Sequence, residues 1–200
     1  MLGPGSAAEN PTDRKPAYVS SAKLRALPLR RTAMSASGSS PSAAPNSTAS
    51  WASDSTLLTR QNLWNRAISF TIFLRRSVVE RVGEFDEQLG LGAVGPWSSG
   101  EETEYLVRAL DSGARIQYDP HLVIVHEDKV LSPSALRSVG ARDGASIGYI
   151  LRKHRYPVHT VGRMLARPLG GALLAVARRD WARVRFHLAT LRGRVLGYRS

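Results

Sequence analysis

Between Ser98 and Glu104 the chain reads Ser-Ser-Gly-Glu-Glu-Thr-Glu, which places three carboxylates within four positions. Carboxylates this close repel one another, and the repulsion raises their pKa values. Two kinds of chemistry use such groups: holding a divalent cation, and taking a proton as a general base. Glu101, Glu102 and Glu104 are the candidates. A structural use competes on equal terms, because Ser99 with Glu102 three residues later fits a capping box and acids suit the first turn of a helix. Trp97 stands just before the stretch, as a pocket platform or a core residue. His126 follows the apolar run Leu122 to Val125, where a neutral imidazole is a candidate metal ligand. The chain has no cysteine, which excludes thiolate sites, disulfides and Cys nucleophiles and fits a reducing compartment.

The elements that must position these groups are legible in the pattern. Ala67 to Leu74 is β-branched, aromatic and aliphatic between polar neighbours and predicts a buried strand. Ser77 with Glu80 suggests a capped short helix that Gly83 closes. Phe85 is expected as a core anchor and Asp86 as a turn residue. The glycine-rich loop Gly90 to Gly95 lacks the Lys-Ser/Thr of a phosphate-cradling loop. A helix from Gly100 to Ser112 is expected to bury Tyr105, Leu106, Ala109 and Leu110, with Gly113 ending it. Arg115 to Tyr118 predicts a short strand, Asp119-Pro120 a turn, and Leu122 to Val125 a second strand.

The two ends differ from this middle. Residues 1–55 are rich in Ser, Ala, Pro and Gly and are expected to be a disordered low-complexity segment, although Lys23 to Arg31 has the composition of a transient basic helix. Residues 56–131 form the expected folded half. Residues 132–200 predict a basic helical tail. In it Ser132 caps a first helix, a second is expected to kink at Pro168 and Gly170-Gly171, and Asp180 caps a third with Trp181, Val184, Leu188, Leu191 and Val195 on one stripe. The net charge is +12, and residues 135–200 hold 14 basic against 2 acidic side chains. An apolar stripe flanked by arginines suits an anionic membrane surface, with a helix packed on its own domain as the alternative. Nucleic acid is disfavoured, since the tail has few aromatics to stack on bases. No run of about 18 apolar residues suggests a membrane span.

The order of motifs is more specific than any one of them. A hydrophobic strand leads to Arg75-Arg76, then Gly83-Glu84-Phe85-Asp86-Glu87, then the acidic stretch at a helix start, then a strand ending in His126. This order resembles the second half of the family 2 glycosyltransferases, inverting enzymes of GT-A fold, over Leu63 to Asp128. The resemblance implies an α/β fold: a partial, Rossmann-like GT-A acceptor half followed by the α-helical tail. It implies inverting transfer of a sugar from a nucleoside-diphosphate sugar to a hydroxyl of a lipid- or polysaccharide-linked acceptor. Glu102 falls on the second acid of the family's Gly-Glu-Asp pattern and so resembles the catalytic base. Glu101 and Glu104 would bind acceptor or sugar, Trp97 would carry a sugar face, and His126 would be a ligand to Mg²⁺ or Mn²⁺. The resemblance breaks in two places. Glu102 replaces the commoner Asp, and the Asp-x-Asp motif with its donor-binding half is missing. The chain is therefore expected to be truncated, or to work with a separate donor-binding half. Its expected location is cytoplasmic, peripheral on the inner face of the plasma membrane. The competing expectation is a non-enzymatic basic protein that binds anionic membrane surface or nucleic acid.

Overall fold

A computed structural model describes residues 18–27, 54–66, 71–93, 95–127 and 131–200, and for residues 18–27, 65 and 123–127 it describes the backbone. Helices account for most of these residues, and one small mixed sheet completes the fold. The strands are β1 (Tyr18–Leu27), β2 (Thr56–Leu57), β3 (Ile72–Leu74) and β4 (Arg115–Glu127), in the spatial order β2-β4-β1-β3. The helices are α1 (Arg76–Val82), α2 (Glu101–Asp111), α3 (Pro133–Lys153), α4 (Val158–Ala177) and α5 (Trp181–Arg199).

Strand β1 overturns part of an expectation. It lies inside the stretch 1–55 expected to lack structure, and it ends at Leu27 in strand rather than in a basic helix. It runs parallel to β4 from Tyr18↔Arg115 to Leu27↔Glu127 and antiparallel to β3. Local composition missed it because the backbone bonds come from distant partners on both edges, and these offset the ordering entropy. The rest of the segment, residues 1–17 and 28–53, lies outside the described residues, as do residues 67–70 at the start of the strand expected over 67–74.

The expected turn at Asp119-Pro120 is also changed. Strand β4 is continuous, and the register jumps from Ala22↔Asp119 to Lys23↔Val123. Residues 120–122 are therefore a bulge against β1. Pro120 cannot donate to the ladder, and the Asp119 carboxylate accepts from the His121 backbone N–H at 2.9 Å, so the turn chemistry persists inside the strand.

Helix α2 buries Tyr105, Leu106, Val107 and Ala109, close to the expected face. Of these, Leu106, Val107 and Ala109 join Leu63, Val78, Ile116, Tyr118 and, from the tail, Leu151, Val161 and Met164 in one core. Phe85 departs from its expected burial: it is 49 % exposed and lies over Tyr105 with ring centroids 4.6 Å apart. The capping boxes do not form. The residue before α1 is Arg75, without a side-chain cap, and the one before α2 is Gly100 at φ 86°. In the tail the caps hold: Ser132 Oγ accepts from Ala135 N and Asp180 Oδ1 from Arg183 N. Helix α4 is continuous with Pro168 inside it.

The packing of α3 on α5 uses small residues. A Cβ on Gly140 would stand 2.9 Å from Phe186 O and from Thr190 Oγ1, and added Cβ atoms on Gly144, Gly148, Gly193 and Gly197 would strike opposing backbone. Missing side chains thus let the two backbones approach. The apolar stripe of α5 is only in part its packed face. Trp181 is 60 % exposed and Leu188 50 %, Val184, Leu191 and Val195 are half-buried, and Thr190, Gly193, Arg194 and Gly197 are buried. Arg194, expected beside the stripe, points inward, where an Nη1 proton goes to the Met164 carbonyl and burial, followed by the charge of Arg167, lowers its pKa to about 10.

Candidate functional site

The start of α2 meets the middle of α3. Gly100 takes a positive φ, and a Cβ there would stand 3.1 Å from Ile150 Cδ1 and 3.5 Å from Ser146 Cβ. Ser99, instead of capping the helix, donates its hydroxyl to Ser146 Oγ at 3.2 Å. This contact brings Glu101 and Glu102, at the first turn of α2, into one electrostatic environment with Asp143 on α3. Gly90, at φ 98°, makes room for the Glu101 carboxylate: a Cβ there would lie 2.9 Å from Glu101 Cδ. Its N–H is held by Trp97 O at 3.0 Å, so the glycine-rich loop is fastened to the acidic turn.

Burial is the largest effect on Glu102 and pushes its pKa up. Its backbone N–H opposes this, while the charge and hydrogen bond of Glu101 and the charge of Asp143 add to it, and the value reaches about 7. Asp143 is raised by burial and by Glu101, against the Ser99 hydroxyl and Arg142. Glu102 is half-buried, and Oε2 of both Glu101 and Glu102 lacks a hydrogen-bond partner. A carboxyl at about 7 exchanges its proton near neutrality, as a general base requires.

Glu104 has a different setting from its neighbours. It is 0 % exposed, with Arg108 Nε at 2.9 Å from Oε2 and with Lys153 Nζ at 2.8 Å and His154 Nε2 at 3.1 Å from Oε1. Burial would raise its pKa, but hydrogen bonds from His154, Lys153 and Arg108 outweigh it and hold the value at about 2. Lys153 also reaches Asp86 Oδ2 at 2.8 Å. Arg108 ties the same cluster to the carbonyls of Val82 and Glu84, at 2.7 and 2.6 Å. Glu104, expected to bind substrate, is enclosed with its oxygens committed to cations; it fixes α2 to α3.

Trp97 is half-buried and stacks on Tyr149 with ring centroids 4.1 Å apart and planes 22° apart. Tyr149 donates its hydroxyl to Gln88 Oε1 at 2.8 Å. Trp97 is therefore fixed as a plate beside the glycine-rich loop. His126 sits in β4 opposite Ala26, and its side chain is outside the described residues. Among the described residues no group of three or more His, Asp or Glu side chains is arranged to hold a metal ion. Burial favours the protonated forms of Glu102 and Asp143, which does not suit Mg²⁺ or Mn²⁺.

Sequence reasoning named Glu101, Glu102 and Trp97, and the structure gathers these at one end of α2. It missed Asp143, Tyr149, Lys153 and His154. Their signal was present: Asp143, Ser146, Tyr149 and Lys153 recur at three- and four-residue steps on one helix face, and Asp143 is one of only two acids in a strongly basic tail. No protein-family model matches the chain, and neither a curated protein nor a solved structure does.

Proposed function

We propose that the chain is the acceptor-side half of a family 2-like, GT-A-type inverting glycosyltransferase, with Glu102 as general base. In this reading the acceptor hydroxyl oxygen bonds to the anomeric carbon, the bond from that carbon to the diphosphate oxygen breaks, and the hydroxyl proton passes to the Glu102 carboxylate. The nucleoside diphosphate leaves with the bonding electrons. The single observation that supports the reading most is the Glu102 carboxyl held at about 7 by burial and two neighbouring acids, beside the fixed plate of Trp97. Glu101 lies between that base and Gly90, placed to accept from sugar hydroxyls. An acceptor-side half binds saccharide without a donor. Addition of an oligosaccharide panel to the ¹⁵N-labelled chain is expected to shift the amides of residues 97–102 for at least one member, and W97A is expected to abolish the shifts. Shifts spread over the tail alone, or none with any saccharide, would count against the reading.

A second reading, association with anionic membrane surface, is favoured by the outward placement of Trp181 and Leu188 among arginines. Among the described residues no helix is long and apolar enough to cross a membrane, so the contact in this reading is peripheral. Localisation on the inner face of the plasma membrane belongs to the same proposal.

A further inference from the structure

We infer that the open groove between α3 and α5 seats an anionic phospholipid of a membrane surface, with an acyl chain on its apolar floor and the phosphate held by Arg137, Arg185 and Arg192. The inference rests on the membrane-surface reading and narrows it to one face; it is independent of sugar transfer. The groove has a volume of ≈ 440 Å³. Ala141 and Ala145 of α3 and Leu188, Ala189 and Leu196 of α5 form the floor, and the three arginines form the rim. The floor exists because the glycine contacts draw the two backbones together while the residues flanking them are mostly alanine, too short to fill the trough.

The floor and rim together select the occupant. Leu188 is 50 % exposed and Leu196 53 %, so apolar surface faces outward there. Arg137, Arg185 and Arg192 are all exposed, and none has an ion pair among the described residues. The only two acids of the tail are engaged elsewhere, Asp143 toward α2 and Asp180 at the cap of α5. The positive rim is therefore matched by an anion from outside, and guanidinium groups pair well with phosphate oxygens. A second copy of this surface would set arginines against arginines. Nucleic acid would find no aromatic side chain on the floor to stack against. A phospholipid offers both an aliphatic chain and a phosphate. Trp181 lies seven residues before Leu188 on the same helical face, where an amphipathic ring suits the interface.

The test is flotation of the full chain with vesicles of phosphatidylcholine alone and of phosphatidylcholine with phosphatidylglycerol. Three variants accompany the parent: R137Q/R185Q/R192Q, L188A/L196A, and R152Q/R155Q/R178Q, which removes three exposed arginines outside the groove. The parent is expected to bind the anionic vesicles, less at high salt. The groove triple is expected to lose binding more than about tenfold and the control triple less than about threefold. L188A/L196A is expected to weaken binding while retaining its salt dependence, and glycerol phosphate in solution is expected not to compete. All changes are at exposed or half-buried positions, and circular dichroism checks that the helices persist. Equal losses in the two triples would overturn the groove while leaving membrane association standing. Failure to bind any vesicle would overturn both.

Discussion

Lys153 Nζ, at the end of α3, lies 2.8 Å from Glu104 Oε1 in the interior of α2. Arg108 and His154 complete a shell of three cationic or potentially cationic groups around one buried carboxylate, so the acidic turn and the helical tail are held as one unit. Removing the charge leaves buried donors unpaired. E104Q is expected to cost about 3 kcal/mol, the scale of breaking a buried pair from one side. That corresponds to a fall of roughly 10 °C in melting temperature. Calorimetry of parent and variant at pH 7 measures it.

The same network sets acid stability. Glu104 falls from 4.5 in the unfolded chain to about 2 in the fold. A depressed carboxylate contributes stability that is fully present above pH 4.5 and is lost as pH falls toward 2. Denaturant unfolding between pH 5 and pH 2 is expected to show this loss in the parent and a flatter profile in E104Q.

Glu102 gives the opposite sign. Its pKa rises from 4.5 to about 7, so between these values the folded chain binds more protons than the unfolded one and stability falls as pH rises. E102Q removes the group that must ionise. Above pH 7 it is expected to be more stable than the parent by about 2 kcal/mol, with the difference vanishing near pH 4.5. Chemical denaturation at pH 5 and pH 8 checks both ends.

Two glycine classes in the tail should separate cleanly. Gly144 faces the Thr190 backbone, and G144A is expected to cost about 2 kcal/mol or more through overpacking. Gly170 has open space where a Cβ would go, and G170A is expected to stabilise by about 0.5–1 kcal/mol through helix propensity. Thermal melts of the two single variants measure the contrast.

The helices were legible because their signals are local. Ser132 and Asp180 act as the caps their types suggest, and the periodic apolar residues of α2 are its buried face. Strand β1 was not legible, since its partners lie some fifty to a hundred residues downstream and its composition matches the flanking low-complexity sequence. The α5 stripe was seen, but not the face that packs. Periodicity weights large apolar residues, whereas Gly144, Gly148, Gly193 and Gly197 determine the approach of α3 and α5 by lacking side chains. At the site, the crowding of Glu101 and Glu102 was visible in the sequence. The different setting of Glu104 was not, because Lys153 and His154 come from a helix about fifty residues away.

In the proposed reading Glu102 is a carboxyl poised to take a proton near neutral pH. Carboxyl ¹³C chemical shifts of the chain labelled at glutamate Cδ, followed from pH 3 to pH 9, test it directly. The resonance that disappears in E102Q is expected to titrate with a midpoint near 7 and to move toward lower pH in D143N, where a neighbouring negative charge is removed. A midpoint near 4.5, unchanged by D143N, would contradict that role for Glu102.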